Sequence, residues 1–242
     1  MVKVFGHRGF SAAYPENTML AFEQALAAGC DGVEFDVQLT RDLVPVIIHD
    51  ETLLRTAGDP AAVRDLSYAE LARRDVSYRF SGQCPAQRVP ALADYFDLIG
   101  KTDFITNIEL KTAVVEYDGI EKLVTDMVRG RKLTGRVIFS SFNHYTLLRC
   151  KALAPEIPCG VLYECRIAEP QDYAKSLGME YLHPCELFVT DAELAKYVRA
   201  GVPVSPWTVD DPERMRYFLS RSGIYAIMTN RPDAALRVRE GM

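Results

Sequence analysis

The chain has 242 residues, 48% of them hydrophobic, with a formal net charge of −5 and a pI near 5.5. With no basic surplus there is no general pull towards nucleic acid or anionic lipid, so any anion must be recognised at a local site. The six cysteines stand singly, no apolar run is long enough to span a bilayer, and the first residues enter a strand-like segment without a leader pattern. The expectation is a cytoplasmic protein with reduced thiols, no stable membrane association and no nucleic-acid partner.

Strand-like runs recur at residues 2–6, 32–37, 104–111, 137–140, 159–163, 181–184, 204–208 and 225–229, with helical patterns between them. That alternation belongs to parallel strands joined by helices. Eight such runs predict an α/β fold, a (β/α)8 TIM barrel with its active site at the C-terminal strand ends, and one domain over residues 1–242. The first run ends in His7-Arg8-Gly9. Asn17 or Thr18 can cap the following helix, whose apolar face holds Phe22, Ala25 and Leu26 before a stop at Gly29. In the second run Glu34 and Asp36 are two apart, so they share the face opposite Val33, Phe35 and Val37 and point to the barrel axis.

A further run at residues 44–49 follows too closely for a parallel crossover. It is expected to fold back as a hairpin and return His49 to the level of Asp36. Residues 50–90 contain Gly58-Asp59-Pro60, Ser81-Gly82 and a short helix opened by the capping box Ser67…Glu70. They are expected to form a small insertion above the C-terminal mouth. The run at 104–111 repeats the acid spacing in Glu109 and Lys111, with Leu110 facing outwards.

Three carboxylates at one mouth raise each other's pKa unless a cation offsets them. An all-oxygen donor set suits one hard divalent ion, Mg²⁺ or Ca²⁺, rather than zinc. His7 and His49, on two sides of these acids, can supply a base and an acid, although each alone suits a hydrogen-bonded strand end equally well. Arg8 offers a fork for phosphate oxygens and Lys111 a point charge; both also suit ion pairs with Glu16 or Glu109. Trp207, the sole tryptophan, can wall an alcohol group or pack in the core. His144 and His183 read as structural.

His7-Arg8-Gly9, Pro15-Glu16-Asn17-Thr18, Glu34-Phe35-Asp36-Val37, His49-Asp50 and Ile108-Glu109-Leu110-Lys111 resemble, in order and spacing, the motifs of the glycerophosphodiester phosphodiesterase family. Ser141-Phe142, Trp207-Thr208-Val209 and Met228-Thr229-Asn230-Arg231-Pro232 extend the likeness along the chain. The resemblance implies a barrel enzyme that hydrolyses small glycerophosphodiesters, such as glycerophosphocholine, to glycerol 3-phosphate and an alcohol. It implies metal binding by Glu34, Asp36 and Glu109 and catalysis by His7 and His49, with water or the glycerol 2-hydroxyl as the attacking oxygen. Arg8, Lys111 and Trp207 are the substrate-binding candidates. Two other readings are a related phosphodiesterase acting on lysophospholipids or phosphoinositides, and a non-catalytic phosphate-binding barrel. One departure stands out: Leu43 occupies the hairpin tip where the family usually has glycine, so the turn is expected to avoid positive φ there.

Overall fold

A computed structural model describes residues 1–242. Seven parallel strands form a sheet in the order β7-β6-β5-β4-β2-β1-β8, with β3 paired antiparallel to β2. They are β1 (Lys3–His7), β2 (Gly32–Leu39), β3 (Pro45–Ile47), β4 (Ile105–Leu110), β5 (Val137–Ser141), β6 (Cys159–Tyr163), β7 (Tyr181–Pro184) and β8 (Ala226–Thr229).

The eighth barrel position differs from the expected strand at 204–208. Only single bridges join Leu182 to Val204, Cys185 to Trp207 and Val204 to Ile224. Pro203 and Pro206 have no N–H to donate, so this segment cannot carry a continuous ladder. It still closes the ring, because Ser205 N donates to Leu182 O (2.8 Å), Trp207 N to Pro184 O (3.1 Å) and Met228 N to Pro206 O (3.1 Å). The fold is therefore a (β/α)8 barrel. Its outer helices are Met19–Ala27, Leu92–Ile99, Ile120–Gly130, His144–Leu153, Pro170–Ser176, Asp191–Ala200, Pro212–Leu219 and Pro232–Glu240. None is long and apolar enough to cross a membrane.

The main core lies between barrel and helices and takes in Val33, Phe35 and Val37 from the outer face of β2. Phe22, Phe35 and Tyr95 meet there with ring centroids 4.6–5.4 Å apart. Burying such a side chain contributes roughly 1.5–3 kcal/mol, and this packing turns Glu34 and Asp36 to the axis. A smaller cluster of Phe5, Ala226 and Met228 fills the barrel interior. His183 is also buried there, beside Gly160, where an added Cβ would come within 2.3 Å of its ring. Burial pushes His183 down to about 3, so it stays neutral. His144 donates from Nε2 to the Leu162 carbonyl (2.8 Å) and accepts at Nδ1 from the Tyr173 hydroxyl (2.9 Å).

Thr18 caps the first helix by accepting from Ala21 N (3.3 Å), which frees Asn17 for another use. β2 and β3 form the expected hairpin, with Val37 opposite Ile47 and Leu39 opposite Pro45. Its tip corrects the expectation for Leu43, which adopts φ +60° with its side chain exposed. Thr40 tolerates this by fastening the turn: its backbone N–H bonds to Val44 O (3.1 Å) and its hydroxyl oxygen accepts from Val44 N (2.9 Å). Left-handed backbone at a residue with a Cβ costs roughly 1–2 kcal/mol, which the ladder on either side offsets.

Residues 50–90 pack short helices, Leu54–Ala57 and Tyr68–Leu71, over a cluster that includes Leu53, Val63, Leu71 and Val76. The Ser67/Glu70 capping box is formed. All six cysteines are free thiols.

Candidate active site

Glu34, Asp36 and Glu109 are buried, and Asp36 stands directly opposite Glu109 in the β2–β4 register. One oxygen from each lies within 4.8 Å of the others. Lys111 Nζ is 3.2 Å from Glu109 Oε1 and 3.9 Å from Asp36 Oδ1, and Arg8 Nε is 3.5 Å from Asp36 Oδ2. Asn17 Nδ2 donates to Asp36 Oδ2 (2.9 Å). Two cations thus face three acids, and the shortfall falls on the glutamates. Burial, then Asp36 and Glu109, push Glu34 well above the usual carboxylate range. Burial and Asp36 push Glu109 up to about 7 against the pull of Lys111. Burial would raise Asp36 too, but Arg8, His49 and Lys111 hold it down to about 2. A buried, all-oxygen set short of positive charge fits a hard divalent cation.

His7 ends β1 opposite Glu34. Its Nδ1 lies 2.7 Å from Asn230 Oδ1 and its Nε2 3.7 Å from Glu34 Oε2. Burial and the neighbouring Arg8 guanidinium push the imidazole down to about 4, so it is neutral at physiological pH. The chain then turns sharply through Arg8 (φ +56°) and Gly9 (φ +82°). A Cβ at Gly9 would meet the Ala21 backbone at 2.8 Å, so only glycine permits this approach. The turn brings Arg8 Nη1 to Glu16 Oε1 (2.9 Å).

His49 follows β3 and donates from Nδ1 to Asp50 Oδ1 (2.6 Å). Against the upward push of burial, hydrogen bonds from His49 and Arg55 hold Asp50 well below its usual range, so this partner is a carboxylate. Arg55 also reaches Glu16 through both terminal nitrogens (2.6 and 2.7 Å), which ties His49 to Arg8 through Asp50, Arg55 and Glu16. Gln38 holds the same turn from β2. Its Nε2 lies 2.9–3.0 Å from the carbonyls of Ile48, His49 and Asp50, while Tyr117 donates to its Oε1 (2.9 Å).

His7, Arg8, Glu34, His49 and Glu109 line one side of a cavity at the barrel mouth; Phe142, Leu162, Trp207 and Met228 line the other. Trp207 donates from Nε1 to His183 O (2.8 Å), and its ring meets Phe142 edge-on at 5.6 Å. The structure thus brings together every residue singled out for chemistry, with Lys111 within 3.9 Å of Asp36 and 3.2 Å of Glu109. Sequence reasoning missed Gln38 and Arg55, and it quoted Asn17 and Asn230 in motifs of the resemblance without giving either a role at the site. Gln38 was accessible, because it continues the Glu34, Asp36 alternation onto the same face. Asn230 carried no such signal, since its partner His7 is 223 residues away.

A barrel whose ionisable groups converge at the C-terminal strand ends defines an enzyme class. The Glycerophosphoryl diester phosphodiesterase family matches residues 7–234, and the chain belongs to this family. A glycerophosphodiester phosphodiesterase of Caldanaerobacter subterraneus subsp. tengcongensis is 38% identical over 239 residues, covering 98% of each chain. Among solved structures, a putative glycerophosphoryl diester phosphodiesterase of Silicibacter pomeroyi superposes with a TM-score of 0.92 at 28% identity, covering all of this chain and 94% of the other. A phosphodiesterase of Oleispira antarctica, solved with the product sn-glycerol-3-phosphate, has a TM-score of 0.84 at 26% identity, covering 98% and 96%.

Proposed function

We propose that this chain hydrolyses glycerophosphodiesters to glycerol 3-phosphate and an alcohol, by acid–base chemistry of His7 and His49 beside one divalent cation held by Glu34, Asp36 and Glu109. The observation that carries the reading is the buried acid trio facing two cations, with an imidazole held on either side. Mg²⁺ and Ca²⁺ are the candidate ions, because the donors are all carboxylate oxygens. When bound, the ion supplies charge neutralisation for a phosphodiester oxygen.

The residues divide the remaining tasks. Arg8 and Lys111 are already paired with carboxylates at the mouth, and they add positive charge where the phosphodiester binds. His7, neutral and with Nε2 facing the acids, takes the proton from the attacking oxygen. His49 protonates the departing alkoxide, and the Asp50 carboxylate at Nδ1 stabilises its imidazolium. Trp207 and Phe142 form the wall against which the glycerol or alcohol carbons lie.

We read residues 1–242 as one barrel unit and residues 50–90 as its insertion over the mouth, tied down by Arg55 on Glu16. A cytoplasmic location fits the free thiols. Phosphorus NMR of products from a panel of glycerophosphodiesters and lysophospholipids tests the substrate class. Glycerol 3-phosphate from the water-soluble diesters is expected, and turnover confined to lysophospholipids would replace this reading with the lipid-directed one.

A further inference from the structure

We propose that Asn230 and Asp210 form a positioning pair that fixes the proton of the His7 ring on Nδ1 and leaves Nε2 as the acceptor facing the acids. The inference deepens the proposed function and rests on its reading of His7 as the base.

The geometry allows one polarity. Asp210 Oδ1 accepts from Thr229 Oγ1 (2.9 Å) and Asn230 N (2.8 Å), and Oδ2 accepts from Asn230 Nδ2 (2.6 Å). An ionised carboxylate only accepts, so the Asn230 amide must turn its nitrogen to Asp210 and its oxygen to His7. That oxygen is 2.7 Å from His7 Nδ1 and 2.8 Å from Ser11 Oγ, whose hydroxyl is also 2.7 Å from the His7 carbonyl. A carbonyl-type acceptor at Nδ1 requires the proton there. In a neutral imidazole the lone pair is then on Nε2, 3.7 Å from Glu34. A reversed amide would send the proton to Nε2 and remove the base.

The two histidines are therefore supported differently. His49 has a carboxylate directly on Nδ1, 2.6 Å away. At His7 an amide stands between ring and carboxylate, passing on orientation without placing a full negative charge against the imidazole. Asp210 reaches no substrate-lining group except through Asn230, so its part is positional.

The test reverses the polarity of the pair. Asn230→Ala removes the acceptor, and Asp210→Asn leaves one oxygen for three donors and frees the Asn230 amide to turn. Each is expected to lower kcat about 10²-fold with KM within about threefold of the parent. In the double exchange Asp210→Asn/Asn230→Asp, the new amide at 210 donates to the new carboxylate at 230, whose other oxygen still accepts from His7 Nδ1–H. It is expected to recover kcat to within about tenfold of the parent. In a His7→Ala background, Asn230→Ala should cost nothing further. Nitrogen-15 NMR of the ring should show the proton on Nδ1 in the parent and a mixture of tautomers in Asn230→Ala.

The proposal is overturned by a parent ring protonated on Nε2, by unchanged kcat in folded Asn230→Ala, or by a double exchange no better than the single changes. Should Asn230→Ala fail to fold, the parent spectrum and the double exchange decide. Should the parent hydrolyse no glycerophosphodiester, the function reading fails, while the ring spectrum still decides the pair.

Discussion

The barrel mouth has two unlike halves. The β1–β4 half supplies Glu34, Asp36, Glu109, Lys111, Arg8 and both mouth imidazoles, cross-linked by ion pairs and by the amides of Asn17 and Gln38. The half formed by β5–β8 and the bridged segment supplies Phe142, Leu162, Trp207 and Met228 to the same cavity. The same alternation of inward residues builds both, so the fold alone does not set the difference. What separates them is net charge against neighbours: the first half carries a surplus of negative charge that a bound cation must offset, and the second lines the cavity with apolar surface. Chemistry is expected to be lost by changes among the ionisable groups of the first half and at the Asn230–Asp210 support of His7, and affinity by changes in the apolar lining of the second.

Removing the charge balance should have the largest effect. Chelation, or Asp36→Ala, is expected to lower kcat/KM by at least about 10³-fold, measured with and without restored Mg²⁺ or Ca²⁺. His7→Ala and His49→Ala should each lower kcat about 10²–10⁴-fold with the fold intact. Because they act on one proton inventory, the double variant should be little worse than either single one; strictly additive losses would confine the chemistry to one ring. Across the cavity, Trp207→Ala should raise KM about tenfold with little change in kcat. A large kcat loss there would erase the contrast between the halves.

The uncompensated charge should also appear in stability. Burial and Asp36 push Glu109 up from 4.5 to about 7, so between these pH values the folded state is expected to hold the extra proton. Stability from this group is then lost as pH rises from about 4.5 to 7, in metal-free protein. Asp36, lowered from 3.8 to about 2, acts oppositely: its contribution is present above 3.8 and lost as pH falls towards 2. Thermal melts should therefore show a metal-free Tm falling between pH 5 and 7, with the gain from added cation greatest at pH 7 and above. A flat Tm over that window would mean the glutamates are less frustrated than their packing indicates. Far from the mouth, Leu43→Gly should stabilise by at most about 1 kcal/mol, relief of left-handed strain being offset by a freer unfolded chain.

Much of the acidic half was legible in the sequence because it follows from local alternation: Glu34 and Asp36 share a face, and Glu109 and Lys111 repeat the spacing. The hairpin was legible from the shortness of its connection. Less so was the segment expected as a strand at 204–208, where two prolines break the ladder while the bridges persist. At Leu43 the expectation failed because the local bonds of Thr40 across the turn outweigh a backbone preference of roughly one or two kcal/mol. The supports of the histidines escaped notice for another reason. Asn230 and Arg55 act through contacts set only by closure of the barrel and docking of the insertion, and no periodicity announces them.

The most direct test is calorimetric titration of Mg²⁺ or Ca²⁺ into exhaustively chelated protein, with turnover of glycerophosphocholine followed on the same samples. One equivalent is expected to bind per chain, with activity rising in step with occupancy and both lost in Asp36→Ala. Full turnover in the chelated protein, or undiminished binding in Asp36→Ala, would rule out the three acids as the seat of an essential cation.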